Sequence, residues 1–162
     1  MSAIEVSAYR PDHREAIVEM MAALQDFERS LSADRTDGRP MAAAHLDYLL
    51  QLCEAHSGQA YVAGEGQEVV GFVVVFVETE DEEDEHLLPE FKRFGWVSDL
   101  YVRESHRARG AATMLMQRAE RHCADLGLRR LKLSALHGNG PARRFYEGIG
   151  YRPYEVVFCK DL

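Results

Sequence analysis

The sequence predicts a single α+β domain in which helices pack on an open β-sheet. Two observations carry that expectation. Segments of period two and segments of helical period follow one another in the order β-α-α-β-β-β-α-β-α-β, with no internal repeat and no linker. One stretch, VVGFVVVFVE (69–78), is nearly all β-branched or aromatic, as a strand covered on both faces requires. At 162 residues the chain is expected to form one domain, 1–162, with a sizeable core.

IEVSAY (4–9) alternates apolar and polar residues, as a half-buried first strand does. Pro11-Asp12 then offers a helix start, and Ile17, Met20, Met21, Leu24 and Phe27 recur at helical spacing. SLSADRTDGRP (30–40) is polar, with glycine and proline, and reads as a loop. A second helix is expected over 41–56, with Leu46, Leu49, Leu50 and Cys53 inward. AYVAGE, a Gly66-Gln67 turn and the apolar run form a hairpin. GWVSDLYV (95–102) is the next strand, and the helix after it runs to about Leu126, stopped by Gly127. LRRLKLSAL (128–136) alternates as a strand. HGNGP opens a short helix, ARRFYEGIG closes it, and YRPYEVVF (151–158) is read as a last strand.

Composition excludes several classes. Hydrophobic residues make up 46% and charged residues 28%, ordinary values for a soluble domain. A formal net charge of −8 argues against general nucleic-acid binding, which leaves a basic footprint. The N-terminus lacks the apolar core of a signal peptide, and the longest apolar run, 69–77, is too short to span a bilayer, so no membrane partner is expected. Cys53, Cys123 and Cys159 are scattered without a CxxC pair; that suits a reducing cytoplasm and gives no metal site.

In this acidic chain, cations gather at HRARGAAT (106–113), directly before an amphipathic helix. The first turn of a helix leaves N–H groups without intrahelical partners, at the positive end of its dipole. Small residues at 108, 110, 111 and 112 let a ligand approach the main chain, and Arg107 and Arg109 can add charge-assisted bonds to phosphate. The loop suits a phosphate or pyrophosphate, although an exposed arginine-rich helix start satisfies the same residues. It has neither Walker spacing nor a GxGxxG pattern, which disfavours a small kinase.

The R-x-x-G-x-A pattern at 107–112 follows the strand DLYV; about thirty residues later Asn139, Ala142, Phe145, Tyr146 and Gly150 stand in the pattern N-x-x-A-x-x-F-Y-x-x-x-G, with Tyr151 in place of the usual Phe. Together these motifs resemble the GNAT superfamily of N-acetyltransferases, whose acetyl-CoA motif is Q/R-x-x-G-x-G/A. The likeness covers roughly 96–151. It implies a GNAT-type domain, with a mixed central sheet whose central strands splay and about four flanking helices. It implies acetyl-CoA as co-substrate, with no metal. The diphosphate would sit on the amides of Arg107, Ala108, Arg109, Gly110, Ala111, Ala112 and Thr113. Pantetheine would pair with Leu100, Tyr101 and Val102, and a main-chain N–H there would polarise the thioester carbonyl. Asn139 would contact the cofactor, and Arg143 or Arg144 would reach its phosphates.

By the same resemblance Tyr146 is the general acid that protonates the leaving thiolate, although a Phe-Tyr pair on a short helix is also ordinary core. The base is open. Members of the superfamily commonly carry Glu-Asp before the apolar pair of this strand; here Ser98-Asp99 stands instead, leaving Asp99 and, at the end of the preceding strand, Glu78 as candidates. Strict alternation puts 98 and 99 on opposite faces, which would turn Asp99 away from the substrate.

Seven of the eight residues at 78–85 are acidic. They read as a solvated loop, or as a border that concentrates a cationic acceptor, a reading to which Asp26, Glu28 and Asp34 add. The resemblance implies acetyl transfer to a primary amine by direct attack in a ternary complex, with polyamines, aminoglycosides or lysine-like amines as acceptors. The alternatives are a catalytically weak CoA-binding sensor or scaffold and a protein or peptide amine acetyltransferase. Many members of the superfamily pair, so a homodimer stays open.

Overall fold

The computed structural model describes residues 2–162. The strands are β1 (Ile4–Ala8), β2 (Gln59–Glu65), β3 (Glu68–Thr79), β4 (Arg93–Val102) and β5 (Leu131–Leu133). The helices are α1 (Arg14–Leu31), α2 (Gly38–Ala55), α3 (Ala111–Asp125) and α4 (Gly140–Gly148). The sheet order is β1-β2-β3-β4-β5; neighbours are antiparallel through β4, and β5 lies parallel to β4. The four helices are those of the segment order, the mixed sheet is the one the resemblance implies, and five of the six expected strands are formed.

The apolar run of β3 is covered on both faces. Phe72, Val74 and Phe76 meet Ile17, Met20 and Met21 of α1 and Leu46 and Leu49 of α2. Val73 and Val75 point the other way, onto Leu115, Met116 and Ala119 of α3. The helix spacing read from the sequence holds for Ile17, Met20 and Met21, whereas Phe27 near the end of α1 is 42% exposed. At Gly95 a Cβ would collide with the Cys123 sulfur and with Leu131 Cδ1, so only glycine lets α3 lie this close on β4.

β4 carries one residue more than its partner needs. Val97 is opposite Val75 and Asp99 is opposite Val74, so Ser98 bulges from the ladder. A one-residue insertion inverts the facing of everything beyond it. Trp96 packs with α1 and α2 and Val97 with α3; after the bulge Leu100 packs with α3 and Tyr101 with α1 and α2. Asp99 therefore turns to the α2 side, where uninterrupted alternation would have put it toward α3.

Three segments differ from the sequence expectation. The loop expected at 30–40 is shorter, because α1 runs to Leu31 and α2 starts at Gly38. β5 pairs only where Gly95, Trp96 and Val97 precede the bulge, so it stops at Leu133. The strand expected at 151–158 is not formed: Val156, Val157 and Phe158 are 69%, 86% and 91% exposed, and among the described residues 152–162 make no backbone hydrogen bond. Strand-like side chains make a strand only where a second edge accepts their backbone.

Candidate functional site

The turn from β4 into α3 is a concave run of amides. Ala108 and Gly110 both take left-handed backbone, with φ 58° and 86°, on either side of Arg109. Alternating handedness of this kind points successive N–H groups into one hollow. Among the described residues, the amides of Ala108, Gly110, Ala111, Ala112 and Thr113 make no bond to a backbone acceptor; the Met114 N–H donates to the Gly110 carbonyl. A Cβ on Gly110 would have nothing within 4 Å, so its face is open, and its positive φ is what requires glycine.

The two arginines have partners within the protein. Arg109 grips Glu65, at the end of β2, through two hydrogen bonds of 2.7 and 3.0 Å, and His106 Nε2 lies 3.1 Å from the same carboxylate. The Arg109 guanidinium, more than any other group, holds the Glu65 carboxyl below the usual carboxylate range. Arg107 Nε donates to the Val102 carbonyl at 3.2 Å, and its guanidinium lies 5.7 Å from the Tyr101 ring centroid. Both side chains brace the loop against β2 and β4, and the main chain presents the hollow.

β4 leads from that hollow into the molecule. Its pairing with β5 ends at Val97, so the edge formed by Leu100, Tyr101 and Val102 has β3 on one side and no strand on the other. This is the central splay. Open amides at one end of an open strand edge fit a ligand that is a diphosphate followed by an extended amide chain.

Tyr146 lies in α4. It packs among Phe145, whose centroid is 5.3 Å away, and Tyr151 at 6.0 Å, on the edge of the α3-side core. Tyr151 is itself held by a 2.9 Å bond to Glu120. Burial, with the charges of Asp99 and Glu28 behind it, pushes the Tyr146 phenol up to about 12.

His45 of α2 was not singled out by the sequence. Its Nε2 lies 3.3 Å from Asp99 Oδ2, and the two side chains are 31% and 13% exposed. The hydrogen bond to Asp99 raises the imidazole above its ordinary value, against burial, and Glu28 adds to it. Glu28 is held up by burial and by Asp99, with Arg35 opposing at 3.6 Å. Glu28, His45, Asp99 and Tyr146 thus form one electrostatic group. The signal that could have found His45 is its place in the otherwise apolar AAAHL, flanking Ala42, Leu46 and Leu49.

Other expected positions fall apart from this group. Glu78 is exposed and opposite Phe94, four strand positions from the partner of Asp99, or roughly 13 Å along the strand. Asn139 caps α4, its side-chain oxygen accepting from Ala142 N–H at 3.2 Å. Arg143 reaches back to the His137 carbonyl at 3.4 Å, and Arg144 lies against Gly140. Asp26 accepts from Gly38 N–H at the start of α2, and Asp34 takes a hydrogen bond from Ser32. The residues of the acidic run are almost all exposed. Ser98 Oγ, at the bulge, is buried without a partner among the described residues.

Comparison with known proteins agrees with this geometry. The family model described as acetyltransferase (GNAT) family matches residues 17–151. A Bacillus subtilis (strain 168) protein, "Uncharacterized N-acetyltransferase YycN", is 27% identical over 96 residues; the match covers 59% of this chain and 56% of that protein, so the chain spans about half the length of the curated relative. The fold superposes on a GCN5-related N-acetyltransferase from Ralstonia eutropha JMP134 with a TM-score of 0.74, 24% identity, and coverage of 98% of this chain and 99% of that one. It also superposes on aminoglycoside N-acetyltransferase AAC(6')-Iy in complex with CoA, with a TM-score of 0.71, 16% identity, and coverage of 99% and 96%. The match over 17–151 takes in the open-edged β4, the glycine loop and α4 with its tyrosine, and by it the chain belongs to the acetyltransferase (GNAT) family.

Proposed function

We propose that this chain is an acetyl-CoA-dependent N-acetyltransferase that moves an acetyl group to the primary amine of a small cationic molecule, by direct attack with both substrates bound. One observation carries the reading: the amides of Ala108, Gly110, Ala111, Ala112 and Thr113, which make no bond to a backbone acceptor, stand at one end of the free β4 edge formed by Leu100, Tyr101 and Val102. The CoA in the AAC(6')-Iy complex supports the donor, and family membership supports the transfer.

Acetyl-CoA supplies an activated acyl group and a thiolate leaving group. The protein's part is to bind, orient and move protons. The amides of Ala108, Gly110, Ala111, Ala112 and Thr113 hold the diphosphate, the Arg107 N–H being taken by the Glu104 carbonyl at 3.3 Å, and the edge of Leu100, Tyr101 and Val102 holds the extended arm, with Asn139 and Arg143 beside them. His45 is the base. A neutral imidazole that donates from Nε2 to Asp99 keeps its lone pair on Nδ1, which takes the proton from the substrate ammonium so that the neutral amine can attack. Asp99 fixes that tautomer and raises its basicity, the part a carboxylate plays behind a catalytic histidine. Glu78 has no part in this scheme.

Tyr146 is the acid. A phenol raised to about 12 remains protonated at neutral pH, ready to donate. Burial disfavours a thiolate in the same way, and so favours its protonation by the phenol. Glu28 and Asp99 make the acceptor side of the site anionic, and this favours a cationic amine over a neutral or anionic one. The acidic run at 78–85 adds long-range attraction. No helix among the described residues is long and apolar enough to cross a membrane; the proposed location is the cytoplasm, whose reducing conditions suit the free Cys53, Cys123 and Cys159.

The test is release of CoA thiol from acetyl-CoA across a panel of polyamines, aminoglycosides, amino acids and lysine peptides. Turnover on polycationic small molecules is the expected result. Turnover confined to neutral or anionic amines overturns the acceptor class. CoA binding with no turnover on any amine favours a sensor.

A further inference from the structure

Among the described residues, α4 and the turn that follows it share one hydrogen bond with another helix or strand: the Tyr151 hydroxyl donates to Glu120 Oε1 of α3 at 2.9 Å. The other bonds of this segment are local. Asn139 accepts from Ala142, Arg143 donates to the His137 carbonyl, and the backbone bonds of 140–151 close on their own helix. Packing on the α3-side core supplies the rest of the hold, and apolar packing is non-directional.

The end of α4 aims Tyr151 at this bond. Gly150 takes left-handed backbone, with φ 99°, and the Gly150 and Tyr151 N–H groups donate to the Glu147 and Tyr146 carbonyls at 3.1 and 2.9 Å. Such paired bonds close a helix at a left-handed glycine and set the residue after it against the one five positions earlier. Tyr151 therefore meets Tyr146 twice, by that backbone bond and by an edge-to-face ring contact at 6.0 Å. Burial, and after it the bond to Glu120, raises the Tyr151 phenol above its ordinary value, so it stays the donor. Position 151 is also where a tyrosine replaces the usual phenylalanine of the motif, which leaves its hydroxyl in need of a reason.

We propose that Glu120 and Tyr151 are positioning residues for the transfer: the hydroxyl of Tyr151, held by Glu120, fixes the Tyr146 ring relative to the amide hollow at Gly110, and so sets the phenol against the leaving sulfur. The proposal rests on the reading of Tyr146 as the acid. In this role neither residue touches a reacting atom. Glu120 stands in the helix whose first turn forms the hollow, about 15 Å along its axis, so one rigid element locates both the donor's diphosphate and the acid. A ring held by packing alone can shift on the packed face. A directional bond removes that freedom, and a small misplacement of a proton donor is costly in rate.

The test joins steady-state kinetics to NMR of ring-labelled tyrosine, with the Tyr146 signal assigned by its loss in Tyr146→Phe. Tyr151→Phe keeps the ring and loses the hydroxyl, Glu120→Ala loses the acceptor, and Glu120→Gln keeps an acceptor oxygen. Tyr151→Phe and Glu120→Ala should each lower kcat about tenfold, with the KM for acetyl-CoA within about twofold. Thermal unfolding should fall by no more than a few degrees, and the Tyr146 ring signal should shift or broaden. Glu120→Gln should restore most of what Glu120→Ala loses. Added to Tyr146→Phe, Tyr151→Phe should cost nothing further, because both act through one phenol. An unperturbed Tyr146 signal or an unchanged kcat in Tyr151→Phe overturns the proposal. So does an undiminished loss in the Tyr146→Phe background. Full turnover by Tyr146→Phe, with chemistry rate-limiting, overturns the acid reading and the catalytic role of the pair with it, while the ring signal still decides whether the pair holds Tyr146.

Discussion

His45 of α2 and Asp99 of β4 lie 3.3 Å apart although 54 residues separate them, and they meet because Ser98 is an extra residue in β4. The bulge turns Asp99 onto the helix face, and the histidine then raises its charge state against it. The hydrogen bond to Asp99 lifts the imidazole above 6.5, opposed by burial. A base must be neutral, so the acid limb of kcat/KM should fall above the ordinary histidine value. Asp99→Asn removes the cause and should move that limb to lower pH, while His45→Gln should abolish it and cut kcat by about 10²-fold. A pH profile with an unshifted limb in Asp99→Asn rejects the pair as the base.

The same shift has a stability consequence of fixed sign. His45 gains a partner on folding and its folded value is raised, so its contribution is fully present below the unfolded value and lost as pH rises through the folded one. Chemical unfolding of wild type and His45→Gln, compared at pH 5.5 and 8.5, should differ more at the lower pH. A larger difference at the higher pH contradicts the sign.

Tyr146→Phe keeps the ring against Phe145 and Tyr151 and removes only the proton donor. It should lower kcat by roughly 10²-fold, leave CoA affinity within about twofold, and leave the melting temperature nearly unchanged. Unchanged turnover, with chemistry shown to be rate-limiting, removes the acid role.

Glu65 is the far anchor of the glycine loop, held by Arg109 and His106. Glu65→Gln weakens that anchor and should raise the CoA dissociation constant by about tenfold with a smaller effect on kcat, because the loop amides lose their pre-set hollow. The carboxyl's depressed value means that its support is present above the ordinary value for glutamate and is lost as pH falls through the depressed one. The CoA affinity of the wild type should therefore hold steady from neutral pH down to about 5 on this account. An affinity unaffected by Glu65→Gln assigns the pair to the surface alone.

In the core, Leu115 is fully buried where α3 meets β3. Leu115→Ala should cost about 3–4 kcal/mol by denaturant unfolding. A cost under about 1 kcal/mol would mean that α3 is not packed as described.

The parts of this molecule that local pattern encodes were legible in the sequence. The apolar run of β3 needs cover on both faces and has it; the loop at 107–112 and α4 with Asn139 and Tyr146 lie within single segments, where spacing alone puts residues in register. What was missed depends on pairing. The surplus residue at Ser98 is visible only against Val74 and Val75, so strict alternation put Asp99 on the wrong face, and with that error His45 had no visible partner. For Arg107 and Arg109 the sequence shows the charge and hides Val102 and Glu65, their partners in the fold. The tail expected as a strand at 151–158 has strand chemistry, yet among the described residues the backbone of 152–162 joins no ladder.

The account stands on the hollow around Gly110. Titrating CoA into the folded protein in a calorimeter tests it most directly: we predict saturable heat with a micromolar dissociation constant, weakened by Gly110→Val, whose β-branched side chain cannot take the φ of 86° without strain. No heat at millimolar CoA from correctly folded protein would contradict it.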